Sequence, residues 1–227
     1  TDGGAGLALD LRPATSRNLE LGSKWRNAHG ASFSAAWFRA DTDDELAVAS
    51  NVGGRSTYRN VGRARRQGLE ASFDTPLGEA WNLQLAYTWM EATFRDDFLV
   101  CTGSGCTLPA TPVAAGSRIP GVPRQQLFAR LQWQGSHWST AAEAVGVGNV
   151  VVNDIASESA PGYMLLNLEM AHRWQWRSGT LRGFVRIENA MDRTYIGSVI
   201  VNEGNSRFYE PGPDRTWLIG AEWKSAR

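Results

Sequence analysis

The sequence predicts an all-β fold, an antiparallel meander of about nine strands with two unlike ends. Three observations predict it. Apolar residues recur with a period of two along most of the chain. No segment carries a sustained apolar stripe of helical period. The connections alternate between short turns, at about 27–30, 75–80, 134–137 and 175–180, and long Gly-rich stretches, at about 51–55, 98–121, 146–162 and 198–213. The short connections therefore gather at one end of the sheet and the long ones at the other.

The strands are expected at about 14–26, 31–50, 55–74, 80–97, 122–134, 137–152, 162–175, 180–196 and 213–224. In the first, Leu19 and Leu21 flank Glu20, and Gly22 and Lys24 continue the face of Glu20. The second is less pure, because Phe38 falls on the face of smaller residues. In the third, Leu69, Ala71 and Phe73 share a face with Arg63, Arg65 and Gln67. Either a bulge shifts the phase or the strand has left the apolar zone by Gln67. The fourth is the clearest: Trp81, Leu83, Leu85, Tyr87 and Trp89 alternate with Asn82, Gln84, Ala86, Thr88 and Met90. Leu127, Ala129, Leu131 and Trp133 repeat the pattern in the fifth strand, and Met164, Leu166, Leu168 and Met170 in the seventh. Trp217, Ile219, Ala221 and Trp223 repeat it in the ninth.

Alternation suits both a soluble sandwich, apolar side inward, and a membrane barrel, apolar side toward lipid. The end asymmetry is that of outer-membrane barrels, which have short periplasmic turns and long extracellular loops. Tryptophan placement agrees. Trp81 and Trp89 lie about 20 Å apart along the membrane normal at a rise of ~3.3 Å per residue and a tilt of ~40°, close to the height of a barrel's apolar band. Trp25, Trp133, Trp138, Trp174 and Trp223 lie beside the short turns or near the chain end, where an aromatic girdle would sit. Aromatic packing in a soluble core is the alternative.

Composition narrows the classes. The 227 residues hold 23 Lys+Arg and 23 Asp+Glu, so the net charge is zero, which excludes a charge-driven nucleic-acid binder. Mean hydropathy is negative despite ten Trp. A barrel reconciles the two, since only alternate strand residues face lipid while lumen and loops are polar. No apolar run approaches the ~18 residues of a membrane helix. Thr1–Ala5 has no signal-peptide pattern, so an export signal has been removed or the chain begins inside a larger protein.

Cys101 and Cys106 bracket a Thr-Gly-Ser-Gly stretch. A disulfide closing a tight loop in an oxidising compartment is favoured over two unrelated thiols, and a metal pair is weaker still. His29, His137 and His172 are far apart without metal-ligand spacing, and no nucleophile elbow, phosphate loop or dinucleotide fingerprint is found. An enzyme is not expected, nor a resident cofactor or metal.

Five segments in order resemble the C-terminal part of the barrel of a TonB-dependent outer-membrane receptor. Pro13-Ala14-Thr15-Ser16-Arg17-Asn18-Leu19-Glu20-Leu21-Gly22 resembles that family's Pro-x-x-Ser-x-Asn-x-Glu-x-Gly strand start. Asn60-Val61-Gly62 followed by Gly68-Leu69-Glu70 resembles its Asn-x-Gly…Gly-x-Glu strand. Gly116-Ser117-Arg118-Ile119-Pro120-Gly121-Val122-Pro123 resembles its Gly-x-x-Ile-Pro-Gly-x-Pro lead-in. Asn189-Ala190-Met191-Asp192-Arg193-Thr194-Tyr195 resembles its Asn-Leu-Phe-Asp-x-x-Tyr segment, and Phe208–Arg215 the run before its last strand.

The resemblance implies that residues 1–227 are one C-terminal segment of a 22-stranded transmembrane barrel in the bacterial outer membrane, lacking the plug domain. It implies energy-coupled uptake of a scarce nutrient, most simply a ferric siderophore. Pyrroloquinoline quinone or another organic cofactor is the alternative cargo, and a secreted soluble β-sandwich binding module the alternative protein. Implied partners are outer-membrane lipid and lipopolysaccharide, the ligand, and TonB through a plug outside this chain. The chain ends Trp223-Lys224-Ser225-Ala226-Arg227 rather than in the family's terminal aromatic residue, so impaired assembly is expected. Candidate ligand-binding residues are the cationic and aromatic groups of two long loops: Arg55, Tyr58, Arg59, Arg63, Arg66, Arg207 and Tyr209. Arg65 belongs to the same basic stretch. The competing reading makes them a solvated strand extension, or partners of lipid phosphates and lumen carboxylates.

Overall fold

The computed structural model describes residues 10–52, 55–102, 106 and 108–226. Its strands, in chain order, are β1 (Thr15–Arg26), β2 (Ser32–Asp43), β3 (Leu46–Val52), β4 (Arg55–Asn60), β5 (Ala64–Leu77), β6 (Trp81–Phe94), β7 (Phe98–Val100), β8 (Thr111–Val113), β9 (Gln125–Gln134), β10 (Trp138–Val147), β11 (Val150–Val151), β12 (Ser159–Ala160), β13 (Tyr163–Trp176), β14 (Gly179–Glu188), β15 (Ile196–Val199), β16 (Tyr209–Pro211) and β17 (Thr216–Ser225). Nine of them form one antiparallel sheet in the order β1-β2-β5-β6-β9-β10-β13-β14-β17. The pairs β3–β4, β7–β8, β11–β12 and β15–β16 are hairpins built within the four long loops.

Four expected strands end earlier or divide. The 31–50 and 55–74 stretches become β2 plus β3 and β4 plus β5, interrupted at Asp44 (φ 55°) and Gly62 (φ 82°). Asp44 takes a left-handed conformation that a short polar side chain tolerates. The amide of Glu45 donates to the Gly62 carbonyl (2.7 Å) and that of Val61 to the Glu45 carbonyl (2.9 Å), so the ladder continues across a bend. Gly62 takes a left-handed φ that strains any side chain, and a Cβ there would lie 2.6 Å from Asp96 Oδ2, so Asp96 would have to shift as well. The 137–152 and 180–196 stretches likewise separate into β10 and β11 and into β14 and β15.

The register defines two faces. Outward rows run Leu21–Trp37–Leu69–Trp89 and Trp25–Phe33–Phe73–Leu85 across β1, β2, β5 and β6. They continue through Leu83–Leu131–Ala142–Leu168–Ile187–Trp217 to the last strand. The inward face carries Glu20, Glu70, Thr88, Gln126, Arg130, Glu143, Glu169, Arg182 and Arg186.

Among the described residues, neither face is covered by a second layer. Leu21 and Ile219 are 75% exposed and Trp217 60%. A sandwich must bury one face of each sheet about 10 Å from the other, so this arrangement excludes it. An apolar surface of this extent is a lipid-facing one. β5 pairs with β2 and β6 without a register shift, so no bulge rephases it. Arg65 shares the outward face because the strand has passed beyond the apolar rows.

Phe38 is accommodated inward by Gly68. A Cβ there would strike the Trp89 carbonyl oxygen and lie 2.9 Å from the Phe38 ring, so the ring lies over the bare backbone. The short turns are compact. In the β1–β2 turn the Asn27 side-chain oxygen accepts from the amides of His29 (3.0 Å) and Ala31 (2.9 Å). The buried residues concentrate at the other end, where Val61, Phe94, Val100 and Val113 form a core packed by Ala47, Phe98 and Ile119.

Candidate functional site

That loop core supports a polar junction drawn from all four long loops. Asp154, in the loop after β11, is 2% exposed. Its amide donates to Asn202 Oδ1 (3.1 Å), and its Oδ2 accepts from Asn202 Nδ2 (3.0 Å). Asn202 also donates to the Val48 carbonyl on β3 (2.7 Å). Arg59 on β4 donates to the Leu99 carbonyl on β7 (2.7 Å) and reaches Asp154 Oδ2 at 3.5 Å, with its guanidinium 5.1 Å from the Phe98 ring centre. Burial pushes the Asp154 carboxyl above its ordinary range, although Asn202 and Arg59 pull it down. The same burial lowers the Arg59 guanidinium, against the attraction of Asp154.

Beside this junction lies a cavity of about 470 Å³. Its wall includes Ser50, Cys106, Asp154, Glu158, Glu203 and Phe208. Cys101 and Cys106 form a disulfide with Cα atoms 5.5 Å apart, which fixes one rim. Its size suits a small ligand.

The expected ligand residues divide into two groups. Arg63 is held by Asp96 through its guanidinium (2.6 Å) and its amide (2.8 Å), and these bonds keep the Asp96 carboxyl below its usual range. Arg66 forms a two-pronged pair with Glu45 (2.7 and 3.1 Å). Arg59 is committed to the junction. The Tyr209 phenol donates to Glu158 (2.9 Å), and partial burial followed by that carboxylate raises it. Arg55, Tyr58 and Arg207 are exposed on the loops, Tyr58 at 49%. Arg59, Arg63, Arg66 and Tyr209 are thus each engaged with another side chain, and two of those partners, Asp154 and Glu158, line the cavity.

A second polar constellation lines the inward face. Glu143 on β10 accepts from Arg130 on β9 (2.8 Å) and from Arg186 on β14 (2.7 Å). Arg186 also reaches Glu169 on β13 (3.5 Å) and Glu188 (3.2 Å), and Glu169 accepts from Arg182 (2.7 Å). Four adjacent strands are thus cross-linked by alternating charges on a wall facing water. The sequence reading missed Glu143, Glu169, Asp154 and Asn202. The first two were legible as acids on the polar face of alternating strands. Asp154 and Asn202 meet across 48 residues and carry no local signal.

The exposed apolar rows, the aromatic residues beside the short turns and the knitted long loops define a wall segment of an outer-membrane β-barrel. The chain belongs to the TonB dependent receptor-like, beta-barrel family, whose model matches residues 1–189. It is 26% identical over 223 residues to the catecholate siderophore receptor Fiu of Escherichia coli K12, covering 96% of this chain and 27% of that one. It is 23% identical over 197 residues to the ferrioxamine B receptor of Salmonella typhimurium LT2, covering 83% and 26%. The fold superposes on the crystal structure of the siderophore receptor PiuA from Acinetobacter baumannii with a TM-score of 0.70 at 20% identity, covering 91% of this chain and 28% of that one. The chain thus spans about a quarter of the length of its curated relatives. Its family comprises transporters and receptors rather than enzymes.

Proposed function

We propose that this chain supplies barrel wall and extracellular loops to a TonB-dependent receptor that imports a ferric siderophore across the outer membrane. The observation that carries the reading is the junction at Arg59, Asp154 and Asn202. It binds four otherwise separate loops into one cap beside a ligand-sized cavity, at the end of a lipid-facing wall. Relatives along nearly the whole chain are siderophore receptors.

In the closed barrel, which we take as 22-stranded, the inward Arg–Glu ladder lines the passage. Tyr58, Arg55 and Arg207 meet the anionic chelate by charge and stacking. Arg59, Arg63, Arg66 and Tyr209 hold the loops that present them. TonB couples through a plug domain, and the chain catalyses no reaction. No observation favours an organic cofactor as cargo.

The test is uptake of radioactive iron as ferric catecholate and ferric hydroxamate complexes by cells whose only siderophore receptor carries this chain. Uptake that requires TonB, and falls about tenfold with Tyr58→Ala and Arg207→Ala combined, supports the proposal. TonB-independent uptake, or none with any ferric chelate, refutes it.

A further inference from the structure

The cavity beside the loop junction is lined by three acids, Asp154, Glu158 and Glu203, and among the described residues by no Lys, Arg or His. Val100, Ile155 and Phe208 contribute apolar wall. The acids come from two different loops, one between β11 and β12 and the other between β15 and β16.

Glu203 is only 9% exposed, yet its carboxylate makes no hydrogen bond or ion pair among the described residues. Its main chain is fixed by a bridge to Asn51 and by the Ser206 amide, which donates to the Glu203 carbonyl (3.2 Å). Asp154 Oδ1 also lacks a partner, since Arg59 reaches the other oxygen and only at 3.5 Å. Glu158 is exposed and accepts from the Tyr209 phenol through Oε2. Neither Glu158 nor Glu203 has a cationic partner among the described residues. Carboxylates withdrawn from water without a counter-charge are costly, and a cation entering the cavity removes that cost.

An anionic chelate is repelled by such a lining, so this cavity is not its seat. The arrangement does not suit a metal ion either, because among the described residues no three His, Cys, Asp or Glu side chains gather to ligate one. Spaced carboxylates with apolar wall beside them suit ammonium groups joined by methylenes.

We infer that the cavity binds an aliphatic polyamine, with ammonium groups on Glu203 and Glu158 and methylenes against Phe208, Val100 and Ile155. The Phe208 ring adds an aromatic surface that attracts cations. The volume of about 470 Å³ falls within the usual range of small-ligand sites. A ligand held by both acids joins the two loops that carry them. The site depends on the cap alone and stands whichever ligand the receptor imports.

The experiment is calorimetric titration of the receptor carrying this chain, in non-ionic detergent, with spermidine and with triethylene glycol, an uncharged chain of the same length. Wild type should bind spermidine and not the glycol. Glu203→Gln should weaken spermidine about tenfold, the loss of one charge-assisted hydrogen bond. Glu79→Gln, in a short turn at the opposite end of the sheet, should bind as wild type does. Unchanged heat-modified mobility on gels confirms that the variants are assembled. Equal affinity of wild type for the two chains, which needs no variant to fold, overturns the inference. So does an assembled Glu203→Gln variant with wild-type affinity, or complete displacement of spermidine by an equal concentration of calcium chloride.

Discussion

Neutralising Glu143 tests whether the inward ladder is a coupled network. Its carboxylate is 8% exposed and is shared by Arg130 at 2.8 Å and Arg186 at 2.7 Å. Hydrogen bonds to charged groups contribute ~1.5–3 kcal/mol each, and breaking a buried pair costs more than the pair is worth because a charge is stranded. Arg186 retains Glu169 and Glu188, so the stranded cation in Glu143→Gln is Arg130, whose side chain is 26% exposed and partly rehydrated. The expected loss is about 2–4 kcal/mol. Arg130→Gln alone should cost about 1–2 kcal/mol, and the double variant less than the sum, with a coupling of about 1–2 kcal/mol. The assay is urea unfolding of the receptor in lipid vesicles, followed by tryptophan fluorescence. Single effects that add within ~0.5 kcal/mol would refute the coupled-ladder argument.

Three further outcomes are expected. Gly68→Ala should destabilise the wall by about 1–3 kcal/mol in the same assay, and Phe38→Ala should not rescue it, because the Trp89 carbonyl obstructs the methyl as well. The raised Asp154 carboxyl means that the closed cap binds a proton more readily than the open one. Closure should therefore tighten as pH falls through the carboxylate range and weaken as it rises. Hydrogen exchange at the Asp154 and Asn202 amides, corrected for intrinsic rate, reads this, and Asp154→Asn should abolish the pH dependence. Cys101→Ser/Cys106→Ser opens a loop closed over only five positions, so global stability should change by no more than about 2 kcal/mol. Protease cutting near Leu108 should accelerate severalfold.

The wall was legible because its determinants are local. Period-two alternation at Trp81–Met90 and the short turns fix which residues face lipid, and the register places those residues in continuous rows. The breaks at Asp44 and Gly62 were not legible, since the alternation runs through them, and the left-handed backbone at both and the contact of Gly62 with Asp96 belong to the folded chain alone. The ligand residues were read from charge and loop length alone. That reading could not separate Arg63 and Arg66, already answered by Asp96 and Glu45, from Tyr58 and Arg207. The acids lie 33 and 21 residues away from their partners and belong to no motif.

The location of the buried core has a consequence for the order of assembly. A soluble domain collapses around a centre that its strands then share. Here the strands share no centre, and the buried apolar cluster of the described residues lies where separate loops meet. Asn202 reaches Val48 across 154 residues and Asp154 reaches Arg59 across 95. Contacts of such span carry a loop-closure cost that neighbouring hairpins have already met only when all the intervening strands are in register. The cap should therefore be the last part of the chain to form, after the wall beneath it is paired.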